Sequence, residues 1–501
     1  MNNIMFQGTA SNVGKSIISA GICRVLWQDG YRVGPFKSQN MSLNSYIDKY
    51  GGEMGRAQVF QAEACNIEPR AYMNPILLKP SGNNMSQLVM KGKFVKNISS
   101  SDYQDMKEDL MIWLGEVYRR YQKDYEIVVL EGAGSPVEIN INKLDISNME
   151  MARIADAPVV LVADIDRGGV FASIVGTLSL LSPNYKERVK GLIINKFRGN
   201  KESFQEGVKL LEEITKIPVL GVVPYQKLGI DEEDGVSEQT YTRPSPSYKS
   251  DRLNIFVLKL DHMSNYTDFN VFAHIGGVEV SYIGLDQDLE IFKEGKLLGP
   301  DMLIIPGSKN TVGDMQALNN SPMKDKILDY VNRGGLIIGL CGGYQMLGKY
   351  ISDEQALDGR QGYVKGLGIL DVFTIFEKEK KTSQVNWTFG NEEGYFSGLL
   401  NSKIEGYETH LGRTYPRPDD NYVISKGHIM GTYCHGIFDS TDFLSGLLNN
   451  IAEKKGLART FKVENYKAIK ENEYNKLADL IRNNIDMKKV YQIIFGIEID
   501  L

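Results

Sequence analysis

A cysteine in a glycine-rich turn is the residue of this chain best suited to nucleophilic chemistry. The stretch LIIGLCGGYQML, residues 336–347, ends an apolar run at Gly339 and places Cys341 just before a helical pattern. The surrounding glycines permit strained backbone angles and leave the thiol uncrowded. The positive end of the following helix favours the thiolate, which is the reactive form. We therefore predict that Cys341 is a nucleophile rather than one more buried thiol.

Candidate bases for this thiol are few, because the chain has only five histidines. His435, in HIMGTYCHGIF, directly follows an alternating strand. His410, in EGYETHLGRT, is the competitor, and Cys434 is a rival thiol. Cys434 lacks the glycine turn, and neighbouring strand residues point to opposite faces. We predict that His435 is the base of Cys341 and that His410 has a binding or structural role.

A second glycine turn precedes the cysteine. The stretch DMLIIPGSKNT, residues 301–311, is a strand that ends in a turn. A glycine turn after one strand and a nucleophile turn after the next can bring two backbone N–H groups to one carbonyl oxygen. The sequence therefore predicts an oxyanion hole from the amides near Ser308 and Gly342.

The N-terminal stretch resembles a phosphate-binding P-loop between a strand and a helix. It reads GTASNVGKS, with Gly8 one residue earlier than the usual first glycine, a position that Thr9 holds. This offset is similar to the dethiobiotin-synthetase group of P-loop enzymes. Backbone amides from Gly8 to Gly14 would surround phosphate oxygens, Lys15 would neutralise their charge and Ser16 would reach Mg²⁺.

Further polar residues follow the strands of the first half. Glu131 ends the buried strand of YEIVVLEGAG, where a second Mg²⁺ contact is expected. Asn195 ends the strand GLIIN, a position that often recognises a nucleotide base. Glu53 precedes another helix and is a third candidate metal ligand. The amide-rich loop from Lys37 to Asn44 suits a polar ligand, although on composition alone it is equally a solvated turn.

The composition is that of an ordinary globular protein of 501 residues, with 42% hydrophobic and 24% charged residues. A net charge of −6 argues against a nucleic-acid surface, which normally carries a basic excess. Four cysteines without paired spacing suggest neither disulfides nor a zinc site. No apolar run could span a bilayer, and the N-terminus lacks the pattern of a signal peptide. We therefore expect a cytoplasmic protein.

Strands alternating with helices in the first half predict an α/β fold with a doubly wound parallel sheet. An acidic stretch with prolines and serines then marks the best domain boundary. The expected order is a P-loop domain at 1–230, a linker at 231–251, a second α/β domain at 252–445 and a C-terminal helical segment at 446–501. We predict that this last segment packs on the second domain.

Motifs from both halves resemble those of the cobyric acid synthase family. They include PFKSQNMSLNS, DIDRGGVFAS, INKFRG, PGSKNT, CGGYQMLG and YCHGIF, in the family's order. The resemblance implies a P-loop synthetase domain followed by a class I glutamine amidotransferase α/β domain, with Cys341 as nucleophile and His435 as general base. Ordinary class I glutaminases orient the histidine with a glutamate two residues later. Here that position is Ile437, so the orienting group is unidentified.

The resemblance also implies the reaction. Ammonia from glutamine would attack corrinoid carboxylates that ATP, with Mg²⁺, has activated as acyl phosphates. The family's substrate is adenosylcobyrinic acid a,c-diamide, amidated at the b, d, e and g positions to give adenosylcobyric acid. The loop from Lys37 to Asn44 could line the mouth of such a site. No nucleic-acid or membrane partner is implied.

Two other functions share features with this sequence. Cobyrinic acid a,c-diamide synthase has the same two domains, but PFKSQNMSLNS and INKFRG favour the first family. A P-loop switch protein with a degenerate glutaminase domain is the other alternative. The intact pair Cys341 and His435 argues against it.

Overall fold

The computed structural model describes residues 2–82, 85–138, 145–229, 248–293, 295–358, 361–391, 393–416 and 422–497. A six-stranded sheet organises each half of the chain. Within the described residues, no helix is long and apolar enough to cross a membrane. Most of the predicted linker at 231–251 lies outside the described residues.

The first half alternates apolar strands with helices, as its sequence pattern predicts. Helix α1 begins directly after Gly14, whose φ of 92° favours glycine. The strands are β1 (Asn2–Gly8), β2 (Val33–Phe36), β3 (Gln39–Met41), β4 (Ser45–Ile47), β5 (Glu53–Gly55), β6 (Ile76–Gly82), β7 (Met85–Met90), β8 (Lys93–Ser99), β9 (Ile127–Glu131), β10 (Val159–Asp164), β11 (Val189–Phe197) and β12 (Val219–Pro224). The helices are α1 (Lys15–Gln28), α2 (Arg56–Ala64), α3 (Ser100–Asp105), α4 (Lys107–Tyr121), α5 (Met149–Ala155), α6 (Val170–Leu180), α7 (Pro183–Lys186) and α8 (Gln205–Thr215).

The main sheet of this half is parallel, in the order β12-β11-β10-β1-β9-β2. Strands β9 and β10 are buried along their whole length, because apolar side chains and helices cover both faces. Neighbouring residues of β1, Ile4 and Met5, accordingly enter two different apolar clusters. The predicted doubly wound sheet is confirmed, and its strands end at a common edge with the P-loop.

The second half repeats the α/β pattern with the order β15-β13-β18-β20-β26-β25, in which only β25 is antiparallel to its neighbour. Its strands are β13 (Leu253–Leu258), β14 (Met263–Ser264), β15 (Val278–Ile283), β16 (Ile291–Lys293), β17 (Lys296–Leu298), β18 (Met302–Ile305), β19 (Gly307–Ser308), β20 (Ile337–Leu340), β21 (Tyr350–Asp353), β22 (Gly362–Lys365), β23 (Phe373–Thr388), β24 (Lys403–Tyr415), β25 (Val423–Lys426) and β26 (Ile429–Thr432). The helices are α9 (Thr311–Asn319), α10 (Met323–Asn332), α11 (Gly342–Leu347) and α12 (Thr441–Lys455), with a 3₁₀ helix at Tyr266–His274.

A long antiparallel ribbon, β23 and β24, contacts the first domain. The Thr382 hydroxyl donates to the carbonyl oxygen of Gly51 at 3.0 Å, and the Tyr407 hydroxyl donates to that of Ser45 at 3.0 Å. Both acceptors lie in or beside the small β4–β5 hairpin. The two domains therefore meet through hydrogen bonds close to the strand that carries Tyr407.

The C-terminal segment corrects one prediction. Helix α12 and the first turn of α13 (Tyr466–Asn484) pack on the second domain, but the rest of α13 and α14 (Met487–Phe495) pack on the first. Leu477 and Ile481 join the apolar cluster of α1 and β1, and Arg24 of α1 is hydrogen-bonded to Asn475. Helix α1 is buried on nearly every side, so it needs a second apolar cover besides the sheet. Helix α13 supplies that cover.

Replacing Ile481 by alanine tests the docking of α13. This side chain is fully buried, and Gly21 of α1 leaves room for it. The cavity left behind should lower the free energy of unfolding of the first domain by about 2–5 kcal/mol. Urea unfolding measures the change. Asn483→Ala, an exposed change in the same helix, is the control; equal stability of the two variants would contradict the packing.

Candidate functional site

Cys341 lies at a strained strand-to-helix turn, as its glycine-rich context predicts. It separates β20 from α11 with φ 51° and ψ −107°, a conformation that a non-glycine residue holds only where its surroundings impose it. Its N–H donates to Thr432 at 2.8 Å. A Cβ at Gly343 would collide with the carbonyl oxygen of Ile305. Glycine is therefore needed here for the turn to pack against β18.

His435 lies beside this thiol and is held by a residue that the sequence analysis missed. Its Nδ1–H donates to Asp268 Oδ2 at 2.7 Å, and the N–H of Gly436 donates to Asp268 Oδ1 at 3.0 Å. Although burial opposes the imidazolium, the charge of Asp268 and hydrogen bonds to Asp268 and Cys341 raise the pKa of His435 to about 9. The structure thus brings together a thiol, an imidazole and a carboxylate.

Asp268 comes from the 3₁₀ helix Tyr266–His274, far from His435 in sequence. The position that usually orients the histidine is Ile437, which is buried in the apolar core. One feature of the sequence could have identified Asp268: it is the single carboxylate within the largely apolar and aromatic stretch YTDFNVF. Phe269 and Phe272, which follow it, are buried, and Asp268 is buried with them, so its carboxylate needs a polar partner.

The competing residues have other environments. Burial raises the pKa of the Cys434 thiol, which lies in an apolar cluster. His410 donates from Nδ1 to the carbonyl oxygen of Gly412 at 2.6 Å and stacks on Tyr433 with 3.6 Å between ring centroids. Burial also lowers the pKa of His410, which favours the neutral ring. These environments argue against Cys434 as the nucleophile and against His410 as the base.

The two predicted oxyanion residues lie next to each other in the wall of the cavity that contains Cys341. A Cβ at Gly342 would come within 2.8 Å of the backbone nitrogen of Ser308, so only glycine permits this approach. The Ser308 hydroxyl donates to Asp314 Oδ2 at 2.6 Å and accepts from the N–H of Asn310 at 3.0 Å, which holds the side chain in place. This proximity is what an oxyanion hole requires.

A cavity of about 650 Å³ opens at the carboxyl edge of the first sheet. Lys15 lies in its wall, with Nζ donating to the carbonyl oxygens of Ala10 at 3.0 Å and Gly134 at 3.1 Å. Asn195 also lines it and donates to the carbonyl oxygen of Val13 at 2.9 Å. Further residues of the wall include Gly14, Ser16, Lys37, Gln39, Asn40 and Met41, so part of the amide-rich loop reaches this cavity.

Gly8 and Thr9 have structural positions. Thr9 donates its N–H to the carbonyl oxygen of Val162 at 3.0 Å, so this amide extends the sheet instead of facing a phosphate. A Cβ at Gly8 would collide with Val13 and with Nζ of Lys15. Neither residue is among those that line the cavity. The prediction that the backbone amide of Thr9 binds the nucleotide is therefore wrong, because that amide is bonded to β10. Gly8 contributes by leaving room for the side chain of Lys15.

Glu131 and Ser16 meet in the same cavity. Ser16 donates from its hydroxyl to Glu131 Oε1 at 2.8 Å, and Lys37 pairs with the same oxygen at 3.0 Å. Gln61 of α2 donates to the other carboxylate oxygen. A hydroxyl and a carboxylate side by side are hard oxygen ligands of the kind that Mg²⁺ takes together with phosphate oxygens. Unlike Glu53, Glu131 lies in the wall of the cavity, but Lys37 and Gln61 already contact its two oxygens, so magnesium binding by Ser16 and Glu131 stays a prediction.

Glu53, a predicted metal ligand, has a different role in the structure. Its buried carboxylate pairs with Lys79 of the first domain and Lys380 of the second, and Ser45 donates to it at 2.8 Å. Although burial opposes ionisation, these lysines hold the pKa of Glu53 well below its usual range. The prediction that Glu53 binds a metal ion is wrong, because two ammonium groups occupy its oxygens.

Comparisons with known proteins match both halves. Residues 4–235 match the model of the CobQ/CobB/MinD/ParA nucleotide binding domain, and residues 254–443 match that of the CobB/CobQ-like glutamine amidotransferase domain. Fold and sites together define a glutamine-dependent amidotransferase built on a P-loop nucleotide-binding domain.

Individual relatives show which family of glutamine-dependent amidotransferases the chain resembles. Cobyric acid synthase of Thermoanaerobacter sp. (strain X514) is 45% identical over 98% of this chain and 98% of its own length. That of Clostridium botulinum (strain Alaska E43 / Type E3) is 45% identical over 98% of this chain and 99% of its own, and that of Alkaliphilus metalliredigens (strain QYMF) is 44% identical over 98% and 100%. The chain belongs to the cobyric acid synthase family.

Replacing Asp268 by asparagine tests the third member of the site. Loss of the carboxylate charge should lower the pKa of His435, so the imidazolium is lost at lower pH. Glutamine hydrolysis should fall on the order of 10²–10⁴-fold. The pH dependence of Cys341 alkylation by iodoacetamide measures the shift independently of turnover. Asp442→Asn, an exposed change in the same domain, is the control; unchanged hydrolysis and pH profile in the Asp268 variant would refute the role.

Proposed function

We propose that this chain amidates the b, d, e and g carboxylates of adenosylcobyrinic acid a,c-diamide, using ATP and glutamine, to give adenosylcobyric acid. One observation carries the proposal: a Cys341–His435–Asp268 site and a P-loop cavity occur in one chain whose relatives at 44–45% identity, over nearly full length, are cobyric acid synthases. The first site is suited to release ammonia, and the second is suited to activate a carboxylate.

Ammonia release uses the raised pKa of His435. His435 is an imidazolium at neutral pH, and a cation beside Cys341 favours the thiolate that attacks the side-chain amide carbon of glutamine. Backbone N–H groups at Ser308 and Gly342 stabilise the developing oxyanion. His435 gives its proton to the leaving nitrogen and ammonia departs. The neutral ring then takes a proton from water, which hydrolyses the thioester to glutamate.

Carboxylate activation belongs to the cavity of the first domain. Lys15 neutralises charge on the phosphates of ATP, and transfer of the terminal phosphoryl group to a corrinoid carboxylate gives an acyl phosphate. Mg²⁺ held by Ser16 and Glu131 would offset phosphate charge. Ammonia then attacks the acyl carbon and phosphate leaves. Activation is needed because a free carboxylate is a poor electrophile.

Two variants separate the two half-reactions. Cys341→Ala should abolish amidation with glutamine but retain amidation with ammonium salts, because it removes only the ammonia source. Lys15→Ala should abolish amidation with either nitrogen donor and retain hydrolysis of glutamine. Mass spectrometry of the corrinoid and an ammonia assay measure both. Loss of ammonium-dependent amidation in the Cys341 variant would contradict this division of labour.

The substrate assignment has its own test. The wild-type chain, given ATP, Mg²⁺, glutamine and the a,c-diamide, should produce one mass step for each of the b, d, e and g carboxylates. An a,c-diamide left unchanged, with amidation of its unamidated precursor instead, would assign the chain to the sister reaction. No phosphate release with either corrinoid would exclude both.

A further inference from the structure

Charged and amide side chains that ammonia release does not use line the cavity beside Cys341. They include Lys309, Lys380 and Asp358 of the second domain, together with Gln87 of the first. Gln87 lies on β7, and its Nε2 donates to the carbonyl oxygen of Leu357 at 3.5 Å. The first domain therefore completes the wall of the cavity in which glutamine must react.

Lys309 is a buried cation without a contact counter-ion. Its residue is 8% exposed, and among the described residues no carboxylate comes within ion-pairing distance of its Nζ. The nearby carboxylate of Glu53 is already paired with Lys79 and Lys380. Although burial opposes the charge, Glu53 and Asp358 raise the pKa of Lys309, so it stays protonated. A buried cation of this kind favours an anionic ligand.

Three buried oxygens in the same cavity wall have no hydrogen-bond partner among the described residues. They are Oε1 of Gln87, Oε1 of Gln345 and Oγ1 of Thr409, and each residue is no more than 2% exposed. The amide nitrogens of Gln87 and Gln345 donate to the carbonyl oxygen of Leu357 at 3.5 Å and to the hydroxyl of Tyr433 at 3.2 Å, which leaves the amide oxygens as the unpaired atoms. Unpaired buried acceptors indicate a ligand that brings hydrogen-bond donors.

We propose that this cavity binds the α-amino acid end of glutamine, with Lys309 pairing with the α-carboxylate and Oε1 of Gln87 accepting from the α-ammonium. The proposal rests on the glutamine amidotransferase assignment and not on the corrinoid. A zwitterion supplies one anion for the unpaired lysine and several donors for the unpaired oxygens. The site would therefore select free glutamine over other primary amides, and it would form only while the two domains are in contact.

A different role for Lys309 would be to stabilise the Cys341 thiolate, whose charge also acts on it. The two roles differ in what a variant does to ligands that lack the α-amino acid group. If Lys309 stabilises the thiolate, its loss should slow the reaction of Cys341 with every electrophile equally. If Lys309 binds the α-carboxylate, its loss should slow only the reactions of ligands that carry an α-carboxylate.

Alkylation of Cys341 separates these roles. Lys309→Met should slow inactivation by the diazoketone analogue of glutamine, which carries the α-amino acid group, on the order of 100-fold. Its reaction with iodoacetamide, which lacks that group, should stay within about twofold, and this rate also reports that the turn is folded. Lys349→Ala, an exposed lysine of the same domain, is the control. Equal slowing with both reagents, or no slowing with either, overturns the proposal.

Hydrolysis of two glutamine analogues assigns the two ends of the zwitterion. Gln87→Ala should impair hydrolysis of glutamine but not of glutaramate, which lacks the α-ammonium. Lys309→Met should impair hydrolysis of glutamine but not of the amide of γ-aminobutyric acid, which lacks the α-carboxylate. The ratio of kcat/KM values in each pair is the readout. Ratios that do not change in the variants would overturn the assignment, and neither assay depends on the corrinoid reaction.

Discussion

The ion pair between His435 and Asp268 is the interaction on which the rest of the glutaminase site depends. Both side chains are almost completely buried, and burial alone would drive the imidazole to its neutral form. The carboxylate reverses this and keeps His435 charged to about pH 9. The second oxygen of Asp268 accepts the N–H of Gly436, so the carboxylate fixes the backbone as well as the ring. The imidazolium lies beside Cys341, where a cation favours the reactive thiolate.

Contacts that include a residue of the first domain hold this ion pair in place. Tyr407 stacks on the His435 ring with 5.2 Å between centroids, and its hydroxyl oxygen accepts from Arg56 of α2 and from Asn265, each at 2.9 Å. Helix α2 also carries Gln61, which donates to Glu131 in the P-loop cavity. One helix of the first domain therefore contacts the supports of both sites. This arrangement suits a chain in which one site consumes what the other releases.

Local sequence patterns predict much of the fold and several residues of the two sites. The turn at Cys341 and the P-loop at Lys15 could be found because each is built from consecutive residues whose backbone requirements are visible as glycines. The parallel sheets followed from apolar strands that alternate with helices. His435 could be chosen because few histidines compete and because it follows a strand.

What sequence reasoning missed depends on contacts between distant segments. Asp268 lies 167 residues from His435, and nothing near the histidine indicates it. Glu53 resembles a metal ligand until two lysines from different domains are found on its oxygens. The amphipathic pattern of α13 predicts a buried face but not which domain covers it, and here that face covers α1.

NMR of ¹⁵N-labelled histidine can show directly whether Asp268 holds His435 as an imidazolium. With only five histidines in the chain, single substitutions can assign each ring. We expect the His435 ring nitrogens to titrate with a pKa of about 9 and a strongly deshielded Nδ1 proton to persist at neutral pH. A His435 ring that titrates near the ordinary histidine value of about 6.5 would show that Asp268 does not hold it as an imidazolium.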